Sequence, residues 1–397
     1  MKWFFKTAVV LILSVLVIGP AFAGGGRQQG GDTGPIIIGG ITDLSAHGSV
    51  LGVATANGWD MAVNDINARG GINGRQIRLI TYDSRSDPQE AISLYRRLVQ
   101  VDNASIVVGP PFSNLGLAVA PIAREMGVVF FGQFGDPRVM LGEDLNTLNP
   151  YMFLVQPSAI ETGIIAGGYM HEVLGLRRGA ILHTIDHAYC FAQGNAFIDY
   201  AREVGIELTT IQTNRQQDLD MTVQLTAIRN SGAEFIFMAN PTQALVVAVN
   251  QMHQMGMTNM ILTGSLDFST PFENLVSTPA AASRIFYPVN LDMEAPELAE
   301  ITRRHIQIYR SEPTPKTWIG YDTILVAEAA IRKAGSTDRR AIRDALATIS
   351  GVKTLITDNF TMNPRTHMPL GLEMCMYNIE NGVQTNAGWF VPRYLQE

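Results

Sequence analysis

The chain of 397 residues holds only two cysteines, Cys190 and Cys375. Neither stands in a CxxC pair or a zinc-ligand spacing, which argues against a redox motif or a zinc cluster. Two thiols so far apart leave two readings open: a disulfide permitted by export, or buried free thiols. No GxGxxG follows the first apolar run and no GxxxxGK[ST] occurs anywhere, so nucleotide binding by either glycine-rich route is not expected. GxSxG and HExxH are missing too, and no carboxylates form a recognisable acid–base pair. His183 and His187 have a metal-like spacing, but it falls at a strand end, where i and i+4 do not share a face. That stretch reads as a polar loop; no metal site and no cofactor are expected. Basic runs are lacking as well: 29 Lys and Arg face 36 Asp and Glu, a net charge of −7. Nucleic acid and anionic membrane are therefore poor partners.

One apolar run stands out. Lys2 and Lys6 flank the start, Thr7 to Ile18 is apolar, and Ala21-Phe22-Ala23 fits a small-x-small cleavage site. Residues 1–23 read as a signal peptide; the run is short for a membrane span and no cysteine marks a lipid anchor. Cleavage removes two lysines and no acids, which takes the charge to −9. Residues 24–34, GGGRQQGGDTG, read as a flexible leader. The remainder is ample for two domains.

Past the leader, strands and helices alternate. Ile36 to Ile41 is an apolar strand, and a helix over about 50–68 stops at Gly70-Gly71. Gln76 to Tyr82 alternates as a strand. Asp87-Pro88 is an N-cap followed by proline at the first helical position, so a helix runs to about Val101. A strand over 105–108, a helix over 115–126 and a strand over 128–131 follow. The same grammar resumes after Tyr151: helices over 159–174, 192–204, 219–231 and 242–255 precede strands over 180–183, 206–212, 234–238 and 259–263. This rhythm predicts two similar α/β lobes with doubly wound parallel sheets. A tail follows, with helices over 295–311, 317–334 and 338–348 and short strands near 373–378 and 385–390.

One stretch resists the rhythm. Residues 109–116 read GPPFSNLG, and two prolines break the chain where the strand over 105–108 ends. Ser113 or Asn114 is placed to cap the next helix. A helix start at the carboxyl end of a parallel strand is also a natural anion site.

The stretch Asp65 to Gly74, DINARGGING, followed by Tyr82-Asp83 and Asp87-Pro88, resembles the leucine/isoleucine/valine-binding family of type I periplasmic solute-binding proteins of ABC importers. The resemblance covers the chain beyond the signal peptide. It implies two α/β lobes joined by three crossovers, near 155–158, 286–290 and 363–367, closing on ligand like a clam shell. The lobes are then 35–156 plus 288–364, and 157–287 plus 365–397. It also implies a monomer in the periplasm that serves a membrane permease and its ATPase subunits.

The resemblance places Ser113 on the family hydroxyl that holds a ligand carboxylate, with Asn114 and Phe112 beside it. The run 132–137, GQFGDP, replaces a small-residue run ending in Thr-x-Pro. Gly135 stands at the threonine position, while Gln133 keeps a carbonyl and an amide and Phe134 a ring for the pocket. Tyr189 falls near the family's tyrosine in the second lobe. Asp267, beside Leu266, falls where the acid for the ligand ammonium belongs, and Asn240-Pro241-Thr242 replaces an aromatic. Leu51 and His47 occupy the loop after the first strand. The ligand expected is a small carboxylate. Two classes stay open: a hydrophobic or branched-chain amino acid, and an aromatic or aliphatic acid without the amine. The competing functions are a ligand-sensing receptor acting through a partner and a secreted amidase; the missing nucleophile–base motif counts against the latter.

Overall fold

The computed structural model describes residues 34–371 and 373–396. The predicted signal peptide and nearly all of the leader lie outside them. The first sheet is built by β1 (Ile36–Thr42), β2 (Ile77–Asp83), β3 (Ile106–Val108), β4 (Phe130–Gly132) and β5 (Met152–Leu154). Its helices are α1 (Ser49–Ala68), α2 (Pro88–Gln100), α3 (Ser113–Met126) and the short α4 (Arg138–Leu141). The strands run parallel in the order β2-β1-β3-β4-β5. The second sheet alternates α5 (Ala159–Gly168), β6 (Arg178–Thr184), α6 (Ala188–Val204), β7 (Glu207–Asn214), α7 (Thr222–Asn230), β8 (Phe235–Ala239), α8 (Thr242–Gln254), β9 (Ile261–Gly264) and β10 (Ile285–Val289). After β10 come α9 (Ala299–Tyr309), α10 (Pro315–Ala334) and α11 (Arg339–Ala347), then β11 (Met374–Glu380) and β12 (Val383–Phe390). The second sheet has the order β12-β11-β10-β9-β8-β6-β7 and is parallel except where β11 pairs with β10 and β12.

These are the two parallel-sheet α/β lobes that the rhythm predicts. Their strands are buried on both faces; β3, β4, β5 and β8 are buried at every residue. Continuous apolar strands of this kind need helices on both sides. Two strands were not read from the sequence. Met152–Leu154 is too short to show a period. Ile285–Val289 falls where a crossover was expected near 286–290; it is a second-sheet strand, so the chain leaves that sheet after Val289.

The chain passes between the sheets after β5, after β10 and before β11. The first and third passages touch: His367 stacks on Phe153 at 3.8 Å between ring centroids, and Leu154 N–H donates to the His367 carbonyl at 2.9 Å. The DINARGGING stretch turns out to be structural. Asp65 on α1 accepts hydrogen bonds from Arg304 (2.5 Å) and Tyr321 (2.8 Å), and the Asn67 amide pairs with both backbone groups of Ile77. Gly58 has the same purpose: a Cβ there would sit 1.9 Å from the Thr317 carbonyl. Only glycine lets α1 and α10 approach so closely, which fixes the start of α10.

Candidate functional site

In a parallel sheet the loops that leave the carboxyl ends on either side of the strand-order reversal open a crevice. Here the reversals lie between β1 and β3 in one sheet and between β6 and β8 in the other. A cavity of about 510 Å³ is lined from both, by 47–51 and 111–115 of the first lobe and by 186–190, 241–247 and 265–267 of the second. Its walls are largely apolar, with Leu51, Phe112, Leu115, Val246 and Leu266 among them. The size and mix of apolar wall and few polar groups suit a small organic solute.

Three helix starts meet there, each organised differently. α6 is capped by His187, whose Nδ1 accepts the Cys190 N–H at 3.4 Å. Burial pushes the His187 pKa down, against Asp267 and Asp186, so the ring is neutral with its remaining proton on Nε2. α8 begins at Thr242, whose N–H and hydroxyl donate to Asp267 Oδ2 at 2.8 and 2.9 Å. The acid thus serves as the cap that Pro241 cannot supply. α3 begins at Ser113, and its preceding residue, Phe112, provides no side-chain cap.

The structure brings His47, Leu51, Phe112, Asn114, Tyr189 and Asp267 to the cavity and leaves Ser113, Gln133, Phe134 and Gly135 out of its lining. Ser113 is the main correction. It neither caps α3 nor faces the cleft: it is the helix's first residue, fully buried, and its Oγ accepts the Asp136 N–H at 3.1 Å within the first lobe. Asn114, one residue on, points the other way. Its Oδ1 accepts the Ala188 N–H at 2.7 Å and its Nδ2 donates to the Asp186 carbonyl at 3.2 Å, both on the second lobe. It therefore does not cap α3 either; it caps α6 across the cleft.

Phe134 is core, fully buried against Phe130 with ring centroids 5.1 Å apart. Gln133 is also buried and occupied: Nε2 donates to Thr55 Oγ1 and the Lys316 carbonyl, and its own carbonyl accepts from Gln156 Nε2 at 2.8 Å. Gly135 has no hydroxyl because Tyr189 takes the space; a Cβ would lie 2.7 Å from the tyrosine ring. Tyr189 lines the cavity with its hydroxyl 3.0 Å from Thr162 Oγ1. His183 is buried in β6 and does not converge with His187. Cys190 and Cys375 are both free and buried.

Sequence reasoning missed Lys316. It is the second residue of α10, only 5% exposed, and it lines the cavity beside Gln156. Its Nζ donates to Gln156 Oε1 at 3.1 Å. Burial pushes its pKa down to about 8, against the pull of Asp267. A signal was present: beyond residue 23 the chain has only three lysines, and Lys333 and Lys353 are exposed.

Comparison with known proteins agrees with this geometry. A family model described as periplasmic binding protein matches residues 35–382. An amino acid binding protein of Pseudomonas aeruginosa is 25% identical over 286 residues, 71% of this chain and 74% of that one. The leucine binding protein LivK of Thermotoga maritima superposes with a TM-score of 0.81 at 19% identity, covering 90% of this chain and 99% of that one. A solute binding protein of an ABC transporter from R. palustris, in complex with benzoate, gives a TM-score of 0.77 at 18% identity, with 90% and 97% covered.

Proposed function

The chain belongs to the periplasmic binding protein family, in its Leu/Ile/Val-binding-like branch, and on that premise we propose that it is the solute-binding component of an ABC importer. It captures a small carboxylate by closing two lobes, 35–156 plus 288–364 and 157–287 plus 365–397, and delivers it to a permease with ATPase subunits. The observation that carries this reading is the cavity itself, walled by apolar side chains and lined from both lobes at the strand-order reversals. Export through residues 1–23 fits such a role. Among the described residues no helix is long and apolar enough to cross a membrane. Cys190, the one thiol in the cavity, has its pKa raised well above the usual thiol value by burial, which makes it a poor nucleophile for amidase chemistry.

Two ligand classes fit. Asp267 lines the cavity and spends only Oδ2 on α8, so Oδ1 is available to an α-ammonium. This favours a hydrophobic amino acid, in keeping with the amino acid and leucine binding relatives. Yet Asp267 is already neutralised by the start of α8, which suits an acid without the amine, as in the benzoate complex.

A matched-pair thermal-shift screen separates them: leucine against 4-methylpentanoate, and phenylalanine against 3-phenylpropanoate. Ligand at about 100 times its Kd stabilises the protein by about 2.7 kcal/mol. A shift with the amine-bearing member alone, lost in Asp267→Asn, selects the amino acid; a shift with the des-amino member alone selects the acid. Absence of any shift across a broad carboxylate panel sinks the proposal.

A further inference from the structure

We propose that Lys316 is the anion-holding group of the cavity, so that the solute class is defined by one compact anionic group, a carboxylate, seated on its ammonium. This rests on the solute-binding reading above and replaces Ser113 as the anchor.

The cation is held in an environment that works against it. It is more than nine-tenths buried, and no carboxylate pairs with it among the described residues. An ammonium has three N–H donors; one is spent on Gln156, a neutral partner, and two are left for the cavity. Lys316 also sits in the first turn of α10, where unpaired N–H groups concentrate partial positive charge. Buried charges in folded proteins are paired. A side chain needed only for packing would be better as methionine.

Its position is also built. The Gln156 amide is oriented because Nε2 donates to the Gln133 carbonyl, which turns Oε1 toward Lys316. Gln133 is held in turn by Thr55 and by the Lys316 carbonyl. The close approach at Gly58 fixes the backbone beneath. A preorganised cation with two open donors, a positive helix start and apolar walls around them describes a receptor for the carboxylate of an amphipathic acid. An amino acid also offers that carboxylate, leaving its ammonium to Asp267.

The test is calorimetry on wild type and Lys316→Met with benzoate, 3-phenylpropanoate, leucine and phenylalanine, together with benzamide and 3-phenylpropanamide. The acids that bind wild type should lose about 10- to 150-fold in Lys316→Met. The amides should bind wild type as weakly as the acids bind the variant. The ligand-free variant should melt no lower than wild type. Acid affinity within about threefold of wild type in the variant overturns the assignment, and so does an amide that binds wild type as well as its acid; both leave solute binding intact. No binding by any member, acid or amide, removes the solute-binding reading and this inference with it. If Lys316→Met fails to fold, 15N spectra of the lysine Nζ groups in wild type decide. With three lysines after residue 23 the Lys316 signal is resolvable; saturating acid must shift it, and an unmoved signal overturns the proposal.

Discussion

Across the cleft, the Asn114 side-chain oxygen accepts the Ala188 N–H at 2.7 Å. One amide on α3 therefore satisfies a donor in the first turn of α6 that its own cap, His187, leaves open, since the His187 ring accepts from Cys190 instead. The bond exists only when the lobes are closed, so it biases the equilibrium between closed and open forms without itself defining the ligand.

Asn114→Ala should shift that equilibrium toward the open form. A net loss of about 0.5–1.5 kcal/mol per hydrogen bond corresponds to a few-fold to about tenfold weaker binding of any ligand. Small-angle scattering of the ligand-free variant should give a larger radius of gyration than wild type. Equal radii and equal affinities would remove Asn114 from the closure mechanism.

Gly135→Thr should block closure by a different route. The added Cβ meets the Tyr189 ring at 2.7 Å, and Tyr189 comes from the opposite lobe. Each lobe still folds, because the clash arises only between them. Affinity should fall more than about tenfold, and the double variant Gly135→Thr/Tyr189→Ala should regain the compact form in scattering. Failure of the double variant to close would place the defect elsewhere.

Ser113→Ala should leave ligand affinity close to wild type and lower stability instead. It strands the buried Asp136 N–H, which costs about 1–3 kcal/mol. Denaturant unfolding beside calorimetry checks this; a large affinity loss with unchanged stability would return Ser113 to the site.

Lys316 should give the protein a distinctive response to pH. Its folded pKa is about 8, below the ordinary lysine value of 10.5, because of burial. Below pH 8 the folded and unfolded chains are both protonated at this lysine and the burial penalty stands. Between about 8 and 10.5 only the unfolded chain holds the proton, so this group makes stability rise with pH, by about 3 kcal/mol in all. Lys316→Met should flatten that rise. Carboxylate binding should run the other way, weakening above pH 8 as the ammonium is lost. The other titratable groups lining the cavity are His47, Asp186, His187, Tyr189, Cys190 and Asp267. Burial keeps the His187 ring neutral and Tyr189 and Cys190 protonated through this window. A ligand-free stability profile in wild type that matches the variant from pH 8 to 10.5 would refute the assignment.

Local physics made much of this molecule readable in one dimension. Asp87-Pro88 announces a capped helix, and the structure has Asp87 accepting from Gln89 and Glu90 with proline at the first position. Apolar strands alternating with helices leave two parallel-sheet lobes as the economical fold. The DINARGGING stretch carries the family because its residues join α1 to α10 and β2, contacts that every copy of such a lobe must make. Those features depend on neighbours in sequence or on a pattern repeated along the chain.

The site does not depend on such neighbours. Whether Ser113 or Asn114 faces the cleft turns on where α3 begins, and neighbouring residues on a helix differ by about 100° in direction. The vacancy at Gly135 has meaning only beside Tyr189, and the antiparallel β11 and β12 only beside β10. Lys316 meets Gln156 from 160 residues away, on a different element. Sequence alone determined the strands, the helices and the lobe architecture, because hydrophobic period and capping chemistry act over a few residues. Only the tertiary structure decided which cation lies buried and unpaired, because burial and pairing are properties of what surrounds a side chain.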